Sequence, residues 1–161
     1  MTQYNFPTVL LFGEGSINNL PSSIKQKSIE RLLLVTDPGL VKIGIANHVA
    51  KILTSSGLNI HFFDGVHPNP IEEDVTQGVE SFTSGDYEGI IALGGGSALD
   101  VAKAIRFMAV HDPPLAQYDD ALNGGEKIIN KLPPLYAIPT TAGTGSEVGR
   151  SSVITLPKTG K

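Results

Sequence analysis

The chain is 161 residues long, 40% hydrophobic and 17% charged, the size and composition of one water-soluble domain with a core of its own. Twelve basic residues against sixteen acidic ones leave a formal charge of −4, so the electrostatic drive for nucleic-acid binding is missing. There is no cysteine, which removes disulfides, thiolate nucleophiles and cysteine zinc sites together. The first residues form no basic-then-apolar leader and no apolar run nears the ~18 residues of a membrane span, so a cytoplasmic location without membrane attachment is expected.

Short apolar bursts closed by turn residues recur along the chain and read as strands. The first covers residues 8–12 and ends at Gly13 and Gly15. The second, 31–36, stops at Asp37-Pro38-Gly39, and the third, 59–63, at Asp64-Gly65. The fourth, 89–93, runs straight into Gly94-Gly95-Gly96, and the fifth, 135–138, meets Pro139. Residues 152–155 resemble a further strand, followed by a turn at 157–160 and then Lys161, without the partner strand that such a turn would lead into. The expectation is that the intact protein continues beyond this point.

Helical periodicity fills the intervals. Leu40, Ile43, Ala46, Val49, Ala50 and Leu53 place one apolar face on a helix ending near Gly57. Val75, Val79 and Phe82 do the same in a helix opened by Asn69-Pro70, with Glu72, Glu73 and Asp74 at the positive end of its dipole. Val101, Ala104, Ile105, Met108 and Ala109 stripe a third helix starting near Ser97. The stretch 112–134, rich in Pro, Gly and Asp, reads as a surface excursion. Strands alternating with helices, the strands apolar on both faces, define an α/β fold: a doubly wound, mostly parallel, Rossmann-like sheet with helices on both faces.

Two loops carry the chemistry. Gly94-Gly95-Gly96-Ser97-Ala98-Leu99-Asp100 lies between a buried strand and a helix. Three glycines admit a ligand to the backbone, and a helix start offers unpaired N–H donors and a positive dipole end, so a pyrophosphate suits it. The spacing is not the G-x-G-x-x-G dinucleotide fingerprint. The competing reading is a plain turn, with Ser97 as N-cap and Asp100 completing a capping box. Pro139-Thr140-Thr141-Ala142-Gly143-Thr144-Gly145-Ser146-Glu147 follows another strand and is dense in hydroxyls. It sits where open α/β sheets bind ligands, or else contains a second capping box from Thr144 to Glu147. Asp37, at the end of the second strand, suits either the ribose hydroxyls of NAD, repelling the extra phosphate of NADP, or a helix N-cap.

These two motifs, in this order and about forty residues apart, resemble the iron-containing (group III) alcohol dehydrogenases. Gly13-Glu14-Gly15, Val35-Thr36-Asp37 and Pro68-Asn69-Pro70 fit the same family, and the likeness runs over essentially the whole chain. The resemblance implies that residues 1–161 are the NAD(H)-binding domain. A following helical domain, absent here, would hold a divalent metal, iron by the family's habit, through one Asp and three His. It further implies that Gly95, Gly96 and Ser97 wrap the pyrophosphate, with Asp100 counted among the cofactor-binding residues, and that Thr140, Thr141, Thr144 and Ser146 line the adenine, phosphate and nicotinamide-ribose side. Asn69 would face the cofactor, with Asp37 on the ribose and Lys161 nearby. Gly149-Arg150 departs from the family's usual continuation. His48, His61, His67 and His111 show no paired helical spacing, so none is expected to ligate metal. The implied activity of the intact protein is metal-assisted hydride transfer between NAD and a small alcohol or aldehyde, the fragment alone being inactive. Exposure of its interdomain face would favour self-association or a homodimer. The alternatives are a glycerol dehydrogenase-like or dehydroquinate synthase-like enzyme of the same fold, and a free-standing non-catalytic nucleotide-binding module.

Overall fold

In the computed structural model, residues 8–157 are described. Four strands form one parallel sheet: β1 (Arg31–Val35), β2 (Asn59–Phe63), β3 (Gly89–Gly94) and β4 (Leu135–Pro139), in the order β2-β1-β3-β4. The helices are α1 (Leu20–Lys25), α2 (Pro38–Lys42), α3 (Ile45–Thr54), α4 (Glu72–Ser84) and α5 (Gly96–Met108).

The pleat sorts the central strands into two cores. Leu33 and Val35 of β1, with Ile90 and Ala92 of β3, face a cluster built with Val75 and Phe82 of α4 and Val101 and Ile105 of α5. Leu32, Leu34, Ile91 and Leu93 face the opposite layer with Ile24 of α1 and Ala46, Val49 and Leu53 of α3. Both faces of β1 and β3 are therefore closed to water, which is why these strands are apolar at consecutive positions. The doubly wound α/β arrangement expected from the sequence is the one observed. No described helix is long and apolar enough to cross a membrane.

Several local expectations fail, each for a traceable reason. Residues 8–12 are not a strand: Val9, Leu10, Leu11 and Phe12 are 84, 68, 54 and 97% exposed. Their composition favours extended backbone, but a strand exists only when a neighbour supplies its ladder, and none of the described residues does. The single helix read over 40–53 is two, because Gly44 adopts a left-handed φ of 85° that ends α2 and opens α3. Ile43, assigned to the apolar face, is consequently 67% exposed.

The helix placed at Asn69-Pro70 begins two residues later. Its first turn is held by Asp74, whose Oδ2 accepts from Ile71 N at 3.3 Å, while Pro70 O accepts from Thr155 N at 2.8 Å. That contact belongs to a lone parallel bridge, Ile71 to Thr155, which is all that forms of the strand expected at 152–155. The turn beyond it falls largely outside the described residues.

The excursion contains short 3-10 turns at Leu115–Tyr118, Asp120–Leu122 and Gly124–Lys127. It is stitched back to α5 by His111, whose Nδ1 meets Phe107 O at 2.7 Å and whose Nε2 accepts from Ile129 N at 3.0 Å and Asn130 N at 3.1 Å. Two donors on Nε2 assign the proton to Nδ1. Arg106 Nε, half-buried and held below its ordinary pKa by desolvation, donates to Pro133 O at 2.5 Å where the excursion rejoins the sheet.

Candidate functional site

The chain leaves β1 toward β2 on one side and returns to β3 on the other, so the sheet's topological switch lies between the carboxyl ends of β1 and β3. Connections diverge at such a point and leave a crevice, the usual ligand position in open parallel sheets. Thr36 and Asp37 leave β1 there, and Gly94, Gly95, Gly96 and Ser97 leave β3. The loop 140–146 reaches the same corner from β4, beginning with Thr140 N donating to Gly94 O at 2.9 Å.

The two loops touch. A Cβ on Gly95 would lie 3.1 Å from Thr141 Oγ1, and one on Gly96 would lie 3.4 Å from Ser146 Oγ and 3.6 Å from Thr144 Cβ. Hydroxyls therefore stand over a backbone that carries no side chains of its own. Gly94 has a φ of 151°, and a Cβ there would fall 2.6 Å from Ala98 Cβ, so the chain turns from strand to helix in a space only glycine fits. The N–H groups of Gly95, Gly96, Ser97 and Ala98 meet no acceptor among the described residues. They are the free donors at the start of the 13-residue α5. Thr36 Oγ1 and Glu147 Oε2, both buried atoms, likewise lack a partner among the described residues.

Both capping-box readings fall. Gly95 is the N-cap of α5 and no side chain caps it. Ser97 Oγ instead donates to Pro68 O at 2.6 Å, which draws the loop bearing exposed Asn69 up to the glycine corner. Asp100 reaches away from the helix start: Oδ1 is 2.9 Å from Lys103 Nζ and Oδ2 accepts from Val153 N at 3.1 Å. After Thr144 the chain makes only a single turn and no helix, Val148 N and Gly149 N both donating to Gly145 O, at 3.2 and 2.9 Å. Asp37 does cap: Oδ1 accepts from Leu40 N at 3.0 Å. Its other oxygen lies on the side of β3, 3.6 Å from where a Gly94 Cβ would stand. The cap uses one oxygen only, so the two roles weighed for Asp37 are compatible.

The structure thus brings Asp37, Gly95, Gly96, Ser97, Thr140, Thr141, Thr144 and Ser146 to one end of the sheet, with Asn69 on the adjoining loop. Asp100 stands behind this surface, and Lys161 lies outside the described residues. Sequence reasoning missed the long-range role of Asp74 and missed Lys103 altogether. Asp74, 1% exposed, holds His67 by Nδ1 at 2.6 Å and by its backbone N at 3.2 Å, shaping the Asn69 loop. Lys103 pairs with Asp100 at i,i+3 spacing, which was legible once the helix was assigned. Among the described residues no three His, Asp or Glu side chains gather to hold a metal ion, so the metal implied by the resemblance has no ligand set there.

A parallel sheet with a glycine corner and an uncapped helix start at its switch point has the features with which open α/β folds hold phosphate-bearing ligands. The chain belongs to the iron-containing alcohol dehydrogenase family, whose sequence profile matches residues 7–161. It is 40% identical to the choline dehydrogenase of Bacillus subtilis (strain 168) over 152 residues, 94% of this chain and 38% of that protein. The crystal structure of a 1,3-propanediol oxidoreductase superposes with a TM-score of 0.89 at 36% identity, covering 99% of this chain and 41% of the other. Sulfoacetaldehyde reductase from Bifidobacterium kashiwanohense, solved in complex with NAD+, gives a TM-score of 0.84 at 30% identity, covering 100% of this chain and 42% of the other. The chain thus spans about two fifths of the length of these relatives.

Proposed function

We propose that residues 1–161 form the NAD(H)-binding part of an oxidoreductase that moves hydride between the nicotinamide and a small alcohol or aldehyde. The observation that carries the reading is the contact of two loops at the switch point, one offering free N–H donors and the other hydroxyls. The solved relative in complex with NAD+ supports the choice of dinucleotide.

The N–H groups of Gly95, Gly96 and Ser97 bind the pyrophosphate, assisted by the positive end of the α5 dipole. Thr140, Thr141, Thr144 and Ser146 supply rotatable hydroxyls that orient the phosphates and the nicotinamide ribose. Asp37 accepts from ribose hydroxyls through the oxygen it does not use as a cap, and disfavours the doubly charged 2′-phosphate of NADP. Asn69 closes the side of the cleft, on a loop held by Ser97 and Asp74. The bound nicotinamide supplies the hydride acceptor or donor. Asp100 acts from behind, without contact with the cofactor.

Titration with NADH, followed by its fluorescence, tests this. Binding with Kd below about 1 mM is expected, together with at least a tenfold loss in Gly96→Val, whose side chain enters the cradle under Thr144 and Ser146. Absence of binding, or equal binding by the variant, refutes the reading.

A further inference from the structure

Behind the hydroxyl loop lies a nearly buried ion pair that none of the roles above uses. Asp100 and Lys103 sit one turn apart on α5, their side chains 10 and 11% exposed and their charges 2.9 Å apart. Each reaches beyond the pair to the same stretch of chain. Lys103 Nζ donates to Gly149 O at 3.4 Å and to Ser151 O, and Asp100 Oδ2 accepts from Val153 N at 3.1 Å. The stretch has a second tether, Ser151 Oγ to Asp120 Oδ2 at 3.1 Å.

The consequence concerns the loop just upstream. Residues 140–149 contain three of the sheet-end glycines and end in a turn in which Val148 N and Gly149 N both donate to Gly145 O. One end of the loop is fixed by Thr140 N on Gly94 O. The other end is fixed where Lys103 takes the carbonyl of Gly149. Both anchors therefore belong to the β3–α5 segment that also presents the free N–H groups.

We infer that Asp100 and Lys103 are positioning residues: they set the hydroxyls of Thr144 and Ser146 over Gly96 by clamping the downstream end of their loop to α5. The inference rests on the dinucleotide reading and adds to it the part that makes the cleft preorganised. A carboxylate and an ammonium in this place do what an apolar pair could not. Each partner neutralises the other on burial, and their remaining hydrogen-bonding capacity goes to a backbone that has no regular secondary structure to satisfy it. Ordering a glycine-bearing loop before the ligand arrives lowers the entropy lost on binding.

The experiment compares Lys103→Met, Lys103→Arg and Asp100→Asn with the unsubstituted chain by NADH titration, thermal unfolding and amide hydrogen exchange. In Lys103→Met, NADH affinity falls at least tenfold, and amides of residues 144–153 exchange at least tenfold faster, while those of β1 and β3 do not change. Lys103→Arg, which keeps a charged multi-donor head, returns affinity to within threefold. Asp100→Asn raises exchange at Val153. If Lys103→Met binds NADH as tightly as the parent, or residues 144–153 exchange at the parental rate, the clamp is overturned. Should Lys103→Met fail to fold, the Asp100→Asn exchange pattern decides alone, an unchanged rate at Val153 overturning the clamp. Failure of the parent itself to bind NADH refutes the dinucleotide reading, and the exchange data then still decide whether the pair orders the loop.

Discussion

Replacing Asp37 separates its two tasks. In Asp37→Gly the carboxylate disappears, but glycine is itself tolerated at an N-cap, so α2 loses only a few tenths of a kcal/mol and the midpoint of thermal unfolding drops by about 1 °C. Among the described residues, the Oδ1 bond to Leu40 N at 3.0 Å is the one side-chain hydrogen bond given up. The loss in binding is larger. A charge-assisted hydrogen bond is worth about 1.5–3 kcal/mol, so NAD affinity falls roughly 10- to 100-fold. NADP gains relative to NAD, because no carboxylate opposes its 2′-phosphate. Asp37→Ser keeps an oxygen for Leu40 N and removes the charge, and the same change in preference with even less effect on stability is expected. The assay is calorimetric titration of each variant with NAD and with NADP, alongside thermal unfolding. If the ratio of the two dissociation constants stays at the parental value in both variants, Asp37 is a cap and nothing more.

Ile91→Ala removes a fully buried side chain from the centre of β3 and is expected to cost about 2–5 kcal/mol by chemical denaturation; a cost under about 1 kcal/mol would contradict the two-sided burial of that strand. Gly94→Ala places a Cβ 2.6 Å from that of Ala98 at a φ of 151°, so a loss of about 1–3 kcal/mol in stability together with weaker NADH binding is expected; parental values for both would show that the corner relaxes freely. Glu88 accepts from the backbone N of Glu30 and of Arg31, both at 2.9 Å, and these bonds hold its carboxyl below the usual carboxylate range. A lowered folded pKa makes this contribution complete at neutral pH and lost as the pH falls below the ordinary glutamate value of about 4.3. The group is exposed, so Glu88→Gln should cost only about 1 kcal/mol at pH 7 and nearly nothing at pH 3, read from denaturant midpoints at the two pH values.

Much of the fold was legible before any coordinates because its signals are local and redundant. The runs at 32–35 and 90–93 are apolar at every position, as a strand covered on both faces requires. Glycines at 94–96 directly after such a run announce a strand-to-helix turn on which a side chain would intrude. Residues 8–12 carry the same local signal and yet stay exposed, since pairing depends on what else is present to pair with. Gly44 broke a helix whose apolar spacing ran through it unbroken, because spacing ignores the sign of φ.

The site divides in the same way. Residue types alone specified its components: hydroxyls, glycines, and an aspartate at a strand end. Which of them meet, and which work from behind, depended on distances between segments forty to sixty residues apart. Ser97 and Asp100 matched a capping box in spacing, but each found a long-range partner instead, Pro68 O for Ser97 and Val153 N for Asp100, which also pairs with Lys103 one turn on. A pattern in sequence can state that a donor or acceptor exists. Only the packed chain determines which of several competing partners comes within hydrogen-bonding distance, because that choice is made by the sheet order and the helices laid against it.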